Sequence, residues 1–145
     1  MSTVRMARAG DVSAAAELAA LLWETSADDL SEKFEELAAD PEGAVFLCAE
    51  DGREVGFAQV QLRHDYVEGT KTSPVGYLEG IFVREGYRQR GIARALLTAC
   101  EDWARKMGCT EFASDCELVN TQSEIFHKAL GFEEANRIIC FKKRL

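Results

Sequence analysis

Long apolar runs, basic patches and metal-ligand spacings are all missing from these 145 residues. Every hydrophobic stretch is interrupted by charge well before membrane-spanning length, and the start, Met1-Ser2-Thr3-Val4-Arg5-Met6, has no apolar leader segment. A cytoplasmic protein without membrane association is therefore expected. Only two histidines are present, and none of the five cysteines (Cys48, Cys100, Cys109, Cys116, Cys140) lies in a CxxC pair, so no metal or redox site is expected and the thiols read as reduced and structural. The two prolines, Pro41 and Pro74, both fall between expected elements, and no repeat or linker divides the chain. One domain over residues 1–145 is expected, and 47% hydrophobic residues suffice to give it a core.

Charge is unevenly placed. Residues 1–50 hold eleven acidic side chains against three basic ones, whereas the remainder is balanced, so the whole net charge of −8 arises in the first third. Nucleic acid, which needs basic surface, is excluded as a partner. A cationic ligand is compatible with this surface, as is a solvated acidic helix face.

Periodicity predicts a strand over 3–7 and then a helix capped by Asp11 with Val12, Ala15, Ala16, Ala19, Leu22 and Trp23 on its apolar side. A second helix is expected over 28–39, with Leu30, Phe34 and Leu37 on one side. Strands over 44–49 and 54–63 are joined by Asp51-Gly52, a pair suited to a tight hairpin. Further on come a strand over 75–83, a helix over 91–107 with a stripe of Ile92, Leu96, Ala99 and Trp103, a short strand over 111–115, a helix over 121–130 ended by Gly131, and a last strand over 137–143. The order βααβββαβαβ implies an α/β fold with a mixed sheet flanked by helices.

The chemistry concentrates where the strand ending at Val83 enters a glycine-containing turn that opens the long helix. Backbone N–H groups at a helix start lack internal partners, so this turn suits a phosphate, with Arg84, Arg88, Arg90 and Arg94 adding positive charge. Neither GxxxxGK[ST] nor the three glycines of a dinucleotide fingerprint is present, which disfavours a nucleotide hydrolase and a Rossmann enzyme.

Arg88-Gln89-Arg90-Gly91-Ile92-Ala93 resembles the [QR]-x-x-G-x-[GA] pyrophosphate loop of the GNAT acyltransferases, and the element order is similar to theirs along nearly the whole chain. Arg63-His64-Asp65-Tyr66-Val67, Ser73-Pro74-Val75, Leu78-Glu79-Gly80-Ile81-Phe82-Val83, Ala113-Ser114-Asp115 and Ala129-Leu130-Gly131-Phe132-Glu133-Glu134 resemble, more narrowly, the aminoglycoside 6'-N-acetyltransferases. The resemblance implies a GNAT fold and acetyl transfer from acetyl-CoA to an aminoglycoside 6'-amine by direct attack in a ternary complex. It also implies a homodimer. It places coenzyme A on Ile81, Phe82, Val83, Gln89, Arg90, Gly91, Ile92, Ala93, Arg94 and Asn120, and the drug on Trp23, Tyr66, Glu79 and Asp115.

An alkyl amine with a pKa near ~10 must lose a proton before it attacks, so a carboxylate is needed beside it. Glu79 is the candidate base, and Asp115 a carboxylate for the same step or for another amine of the polycation. A backbone N–H among Ile81, Phe82 and Val83 would steady the thioester oxygen. Gly80 would accommodate a bulge. Where GNAT enzymes carry a tyrosine that protonates the departing thiolate, this chain has His127; that residue, solvent, or no acid at all are the three readings. Ser26 replaces a histidine, and Asn136 an acidic residue, of the drug-binding relatives. Competing readings are a GNAT for another amine, such as a polyamine or a protein N-terminus, and a catalytically silent acyl-CoA-binding regulatory domain.

Overall fold

Asp51 and Gly52 both take left-handed backbone angles, φ 52 and 77, so the chain turns back on itself between β2 (Gly43–Glu50) and β3 (Arg53–Arg63). That hairpin is the centre of a five-stranded sheet in the computed structural model, which describes residues 2–145. Its outer members are β1 (Ser2–Met6), β4 (Val75–Val83) and β5 (Phe112–Ser114), in the order β1-β2-β3-β4-β5. The first four strands are antiparallel and β5 joins β4 in parallel, so the sheet is mixed, as expected.

Helices cover both faces, which is why the middle of β2 and of β3 is apolar on consecutive residues instead of alternating with polar ones. On one face α1 (Val12–Trp23) and α2 (Ala27–Ala39) pack Ala16, Leu18, Phe34 and Leu37 against Val45, Leu47 and Phe57. On the other, α3 (Ile92–Lys106) packs Ile92, Leu96 and Cys100 against Phe46, Val55, Val60 and Leu78. Leu96 is wholly buried there. Leu96→Ala should cost about 2–5 kcal/mol by emptying that volume, measured by chemical denaturation. The last helix, α4, is Thr121–Ala129. No helix among the described residues is long and apolar enough to cross a membrane.

Three expectations need correction. The Asp11 side chain does not cap α1; it accepts from the Arg5 guanidinium and the Arg8 N–H, each at 2.9 Å, and these bonds hold its carboxyl below the usual carboxylate range. The α3 stripe is deepest at Ile92, Leu96, Leu97, Cys100 and Ala104, with Ala99 and Trp103 on its flank, because every fourth residue from Ile92 meets the sheet squarely. The last strand is not formed: residues 133–145 run along the surface and none of them makes a backbone–backbone hydrogen bond. A local β pattern becomes a strand only when a sheet edge supplies its ladder.

Candidate active site

The site begins with an irregularity in β4. Gln59 pairs with Gly80 but its neighbour Val60 pairs with Leu78, so Glu79 is the extra residue of a β-bulge. A bulge bends its strand and re-aims the side chain it carries, which is the local distortion expected at Gly80. On the other side of β4 the parallel pairing with β5 stops at Leu78 opposite Ser114, so Glu79 and the residues after it have no strand neighbour there. The two strands part at the bulge. Trp23 lies directly on it: a Cβ at Gly80 would stand 2.5 Å from the indole Cζ2. The indole also meets Phe57 edge-on at 5.8 Å and remains 39% exposed.

Glu79 and Asp115 belong to one network. Arg63, at the end of β3, donates to the Glu79 carboxylate from Nη2 at 2.6 Å and Nε at 3.1 Å, and its guanidinium covers the Tyr77 ring at 3.4 Å from the centroid. The Tyr77 hydroxyl in turn donates to Asp115. Burial, with the hydrogen bond to Asp115 second, pushes the Tyr77 hydroxyl well above the ordinary tyrosine range, so it remains a donor. Arg63 and Tyr77 were not singled out from sequence. The signal lay in the strand register, which sets Gln61 opposite Tyr77 and so puts Arg63 on the diagonal.

Of the other expected drug contacts, Tyr66 projects 75% exposed from the loop over 64–74, apart from this network. Asn136 donates to Glu68 of that loop at 2.7 Å and ties the C-terminal segment to it. Ser26 acts locally, since its hydroxyl accepts from the Asp29 N–H at 3.1 Å and caps α2.

Beyond the bulge, β4 runs through Ile81, Phe82 and Val83 into a single 3-10 turn, Glu85–Tyr87, and then into α3. Gln89 and Gly91 have φ 62 and 82, and this alternation folds successive amides toward one side. Among the described residues, the N–H groups of Gln89, Arg90, Gly91, Ile92, Ala93 and Arg94 have no hydrogen-bond partner, backbone or side chain; the first helical bond is from Ala95 to Gly91. Nothing stands within 4 Å of a Cβ built on Gly91. The arginines expected to surround an anion are partly committed to holding the loop: Arg84 donates to the Glu54 carbonyl and Arg88 to that of Val83. Arg94 donates to the Ala129 carbonyl, and Arg90 pairs with Glu50 at 3.2 Å. Six unpaired amides at the N-terminus of a 15-residue helix, among four guanidiniums, fit a pyrophosphate.

The family profile described as Acetyltransferase (GNAT) family matches residues 14–132. The chain belongs to that family. Its relatives include the aminoglycoside N(6')-acetyltransferase type 1 of Stenotrophomonas maltophilia, 49% identical over 99% of this chain and 94% of that one. The protein of the same name from Salmonella typhimurium is 47% identical over 85% and 86%. Among solved structures, aminoglycoside 6'-N-acetyltransferase AAC(6')-Ih from Acinetobacter baumannii superimposes with a TM-score of 0.96 at 36% identity, covering 100% of this chain and 99% of that one. AAC(6')-Iy in complex with the bisubstrate analog CoA-S-monomethyl-acetylneamine does so at 0.94 and 40% identity, again over 100% and 99%.

Two further residues of this GNAT chain, His127 and Asn120, are held on α4 by hydrogen bonds. His127 on α4 has Nδ1 at 2.8 Å from the Ser123 carbonyl, which can only accept, so Nδ1 carries a hydrogen. Its Nε2 lies 2.9 Å from the hydroxyl of Ser114, the residue where β5 leaves β4. Asn120 caps α4 through Oδ1, which accepts from the Ser123 N–H at 3.0 Å.

Proposed function

We propose that this GNAT chain, acting as one domain over residues 1–145, transfers the acetyl group of acetyl-CoA to the 6'-amino group of aminoglycoside antibiotics and so protects its cell from them. The observation that carries this reading is the pairing of two sites along β4: a nest of unpaired amides after its end, and two carboxylates gathered at its bulge. The high identity to aminoglycoside N(6')-acetyltransferases over nearly the whole chain supports the drug as substrate.

Acetyl-CoA supplies an activated acetyl group, and the chain provides the geometry. The amides of Gln89, Arg90, Gly91, Ile92, Ala93 and Arg94 hold the pyrophosphate, and Asn120 borders the cofactor arm. Past the bulge, a main-chain N–H among Ile81, Phe82 and Val83 donates to the acyl oxygen as it gains charge. Glu79 receives the 6'-ammonium and takes its proton, directly or through a water. Asp115 holds a second amine of the polycation, while Trp23 and Tyr66 flank the sugar rings. His127 can protonate the departing thiolate through the Ser114 hydroxyl only when Nε2 carries a hydrogen as well as Nδ1; otherwise solvent supplies that proton, or the thiolate leaves unprotonated.

The deciding experiment is a thiol-release assay over aminoglycosides with and without a 6'-amine, beside spermine and a short peptide. Turnover of kanamycin, with none for compounds lacking the 6'-amine, is expected. Turnover of spermine or peptide alone, or coenzyme binding with no thiol release over the whole panel, would reject the assignment.

Location in the cytoplasm and assembly as a homodimer belong to the same proposal. Support for the dimer comes from residues 137–143, whose Ile139 and Phe141 are 79% and 89% exposed on a stretch with no ladder. A sheet edge in a second copy would cover both the apolar side chains and the unpaired backbone. Sedimentation at micromolar concentration should return twice the chain mass, and deletion of residues 137–145 should return a monomer.

A further inference from the structure

Glu79 already has a cation. The carboxylate assigned to the substrate's ammonium is engaged by Arg63, whose Nη2 reaches Oε1 at 2.6 Å and Oε2 at 3.2 Å, with Nε at 3.1 Å. The same guanidinium lies on the Tyr77 ring, and the Tyr77 hydroxyl donates to the second drug-binding carboxylate, Asp115. Arg63 thus presents to Glu79 the charge and N–H donors that a protonated amine would bring.

We propose that Arg63 is a resident stand-in for the substrate ammonium: it engages Glu79, yields to the drug, and recaptures Glu79 after acetylation. This inference rests on the assignment of Glu79 as the carboxylate that meets the 6'-amine. Three observations carry it. First, the contact is replaceable, because the Arg63 and Glu79 side chains are 43% and 22% exposed, and ion pairs in contact with water contribute little net stability. Second, Arg63 does not set the position of Glu79, which follows from the bulge between the Gln59–Gly80 and Val60–Leu78 pairs. Third, Arg63 keeps a second contact when displaced, since its guanidinium also lies on the Tyr77 face at 3.4 Å from the centroid.

The chemistry of the reaction makes such a competitor directional. A 6'-ammonium competes with Arg63 for the carboxylate, whereas the product amide is neutral and does not. The amine's proton, once on Glu79, passes on to water, and the freed carboxylate is again open to Arg63. Arg63 therefore weakens drug binding by the cost of its displacement and speeds the exchange of product for the next substrate.

The test uses the full chain carrying Arg63→Met, which removes the charge but keeps a stem to lie on Tyr77, and Arg53→Met as a charge-matched control at the far end of β3. Calorimetry on the enzyme loaded with coenzyme A gives the dissociation constant of kanamycin, and inhibition by 6'-N-acetylkanamycin gives that of the product. Arg63→Met should bind kanamycin about 3- to 10-fold more tightly than wild type, the factor equivalent to an ion pair of about 1 kcal/mol, and the neutral product within about twofold of wild type. Arg53→Met should change either constant by less than about twofold. Should Arg63→Met prove unstable in thermal unfolding, Arg63→Gln provides the same comparison. Unchanged or weaker binding of kanamycin by the Arg63 variants, or product binding tightened as much as drug binding, would overturn the proposal and leave Arg63 as a support for Glu79. Glu79→Gln is measured alongside: if it leaves kanamycin binding and kcat/KM at wild-type values, the assignment of Glu79 fails first and takes the stand-in with it.

Discussion

Glu79→Gln should lower kcat/KM for kanamycin by about 10²- to 10⁴-fold, the range spanned by a positioned acid or base. Glutamine keeps the size of the side chain and removes both the charge that attracts an ammonium and the site that accepts its proton. The loss should fall mainly on kcat, because Asp115, held by the Tyr77 hydroxyl, still offers the polycation a carboxylate. Stability should change little: Glu79 is bulged out of the β3 ladder, its side chain is part-exposed, and its one ion pair among the described residues is with a part-exposed arginine. Steady-state kinetics with a thermal melt of the same sample separates the two effects. A variant that melts like wild type and turns over kanamycin within about threefold of it would remove Glu79 from the chemistry.

Gly91→Val should weaken acetyl-CoA binding by about 100-fold, read by calorimetry without drug. The side chain would meet nothing within 4 Å, so the effect comes from the backbone and not from a clash. At φ 82 a β-branched residue is strained by about 1–3 kcal/mol. The chain relieves that strain by leaving the left-handed region, and the amides beside it turn away from their common focus. Loss of one or two hydrogen bonds to a charged phosphate, at about 1.5–3 kcal/mol each, accounts for the factor. Gly10 also has open space around it but no left-handed backbone requirement, so Gly10→Val is the matched control and should bind the cofactor as wild type does.

Gly91 and Gly80 show why some of the site was legible before the structure. Gly91 follows a strand and opens a helix, and glycine at such a junction carries its own conformational meaning. Gly80 interrupts an apolar strand and marked the bulge for a similar reason. The Asp51-Gly52 turn likewise placed β2 beside β3 with no knowledge of the rest. In each case the cause lies within a few residues of its effect.

Arg63 shows the opposite case. It is 16 residues from Glu79, and whether the two meet depends on which residue of β3 faces which residue of β4. The bulge shifts that register by one, and a shift of one residue sends a side chain to the other face of the sheet. The bond from Tyr77 to Asp115 crosses 38 residues and requires β5 to lie parallel to β4 and to end where it does. Ser26 was weighed against drug contacts, yet its hydroxyl closes the first turn of α2, a choice made by the backbone path between two helices. Residues 137–143 carry a strand pattern without a ladder, because pairing belongs to two segments and never to one.

What the amino-acid sequence determined by itself is therefore whatever short-range chemistry controls: which segments coil or extend, where the turns fall, and that a run of amides after Val83 would stand unpaired. Tertiary structure alone decided which charges meet. It brought Arg63 onto Glu79 and Tyr77 onto Asp115, since contacts across a sheet are set by register and by where neighbouring strands part, and no local pattern encodes either.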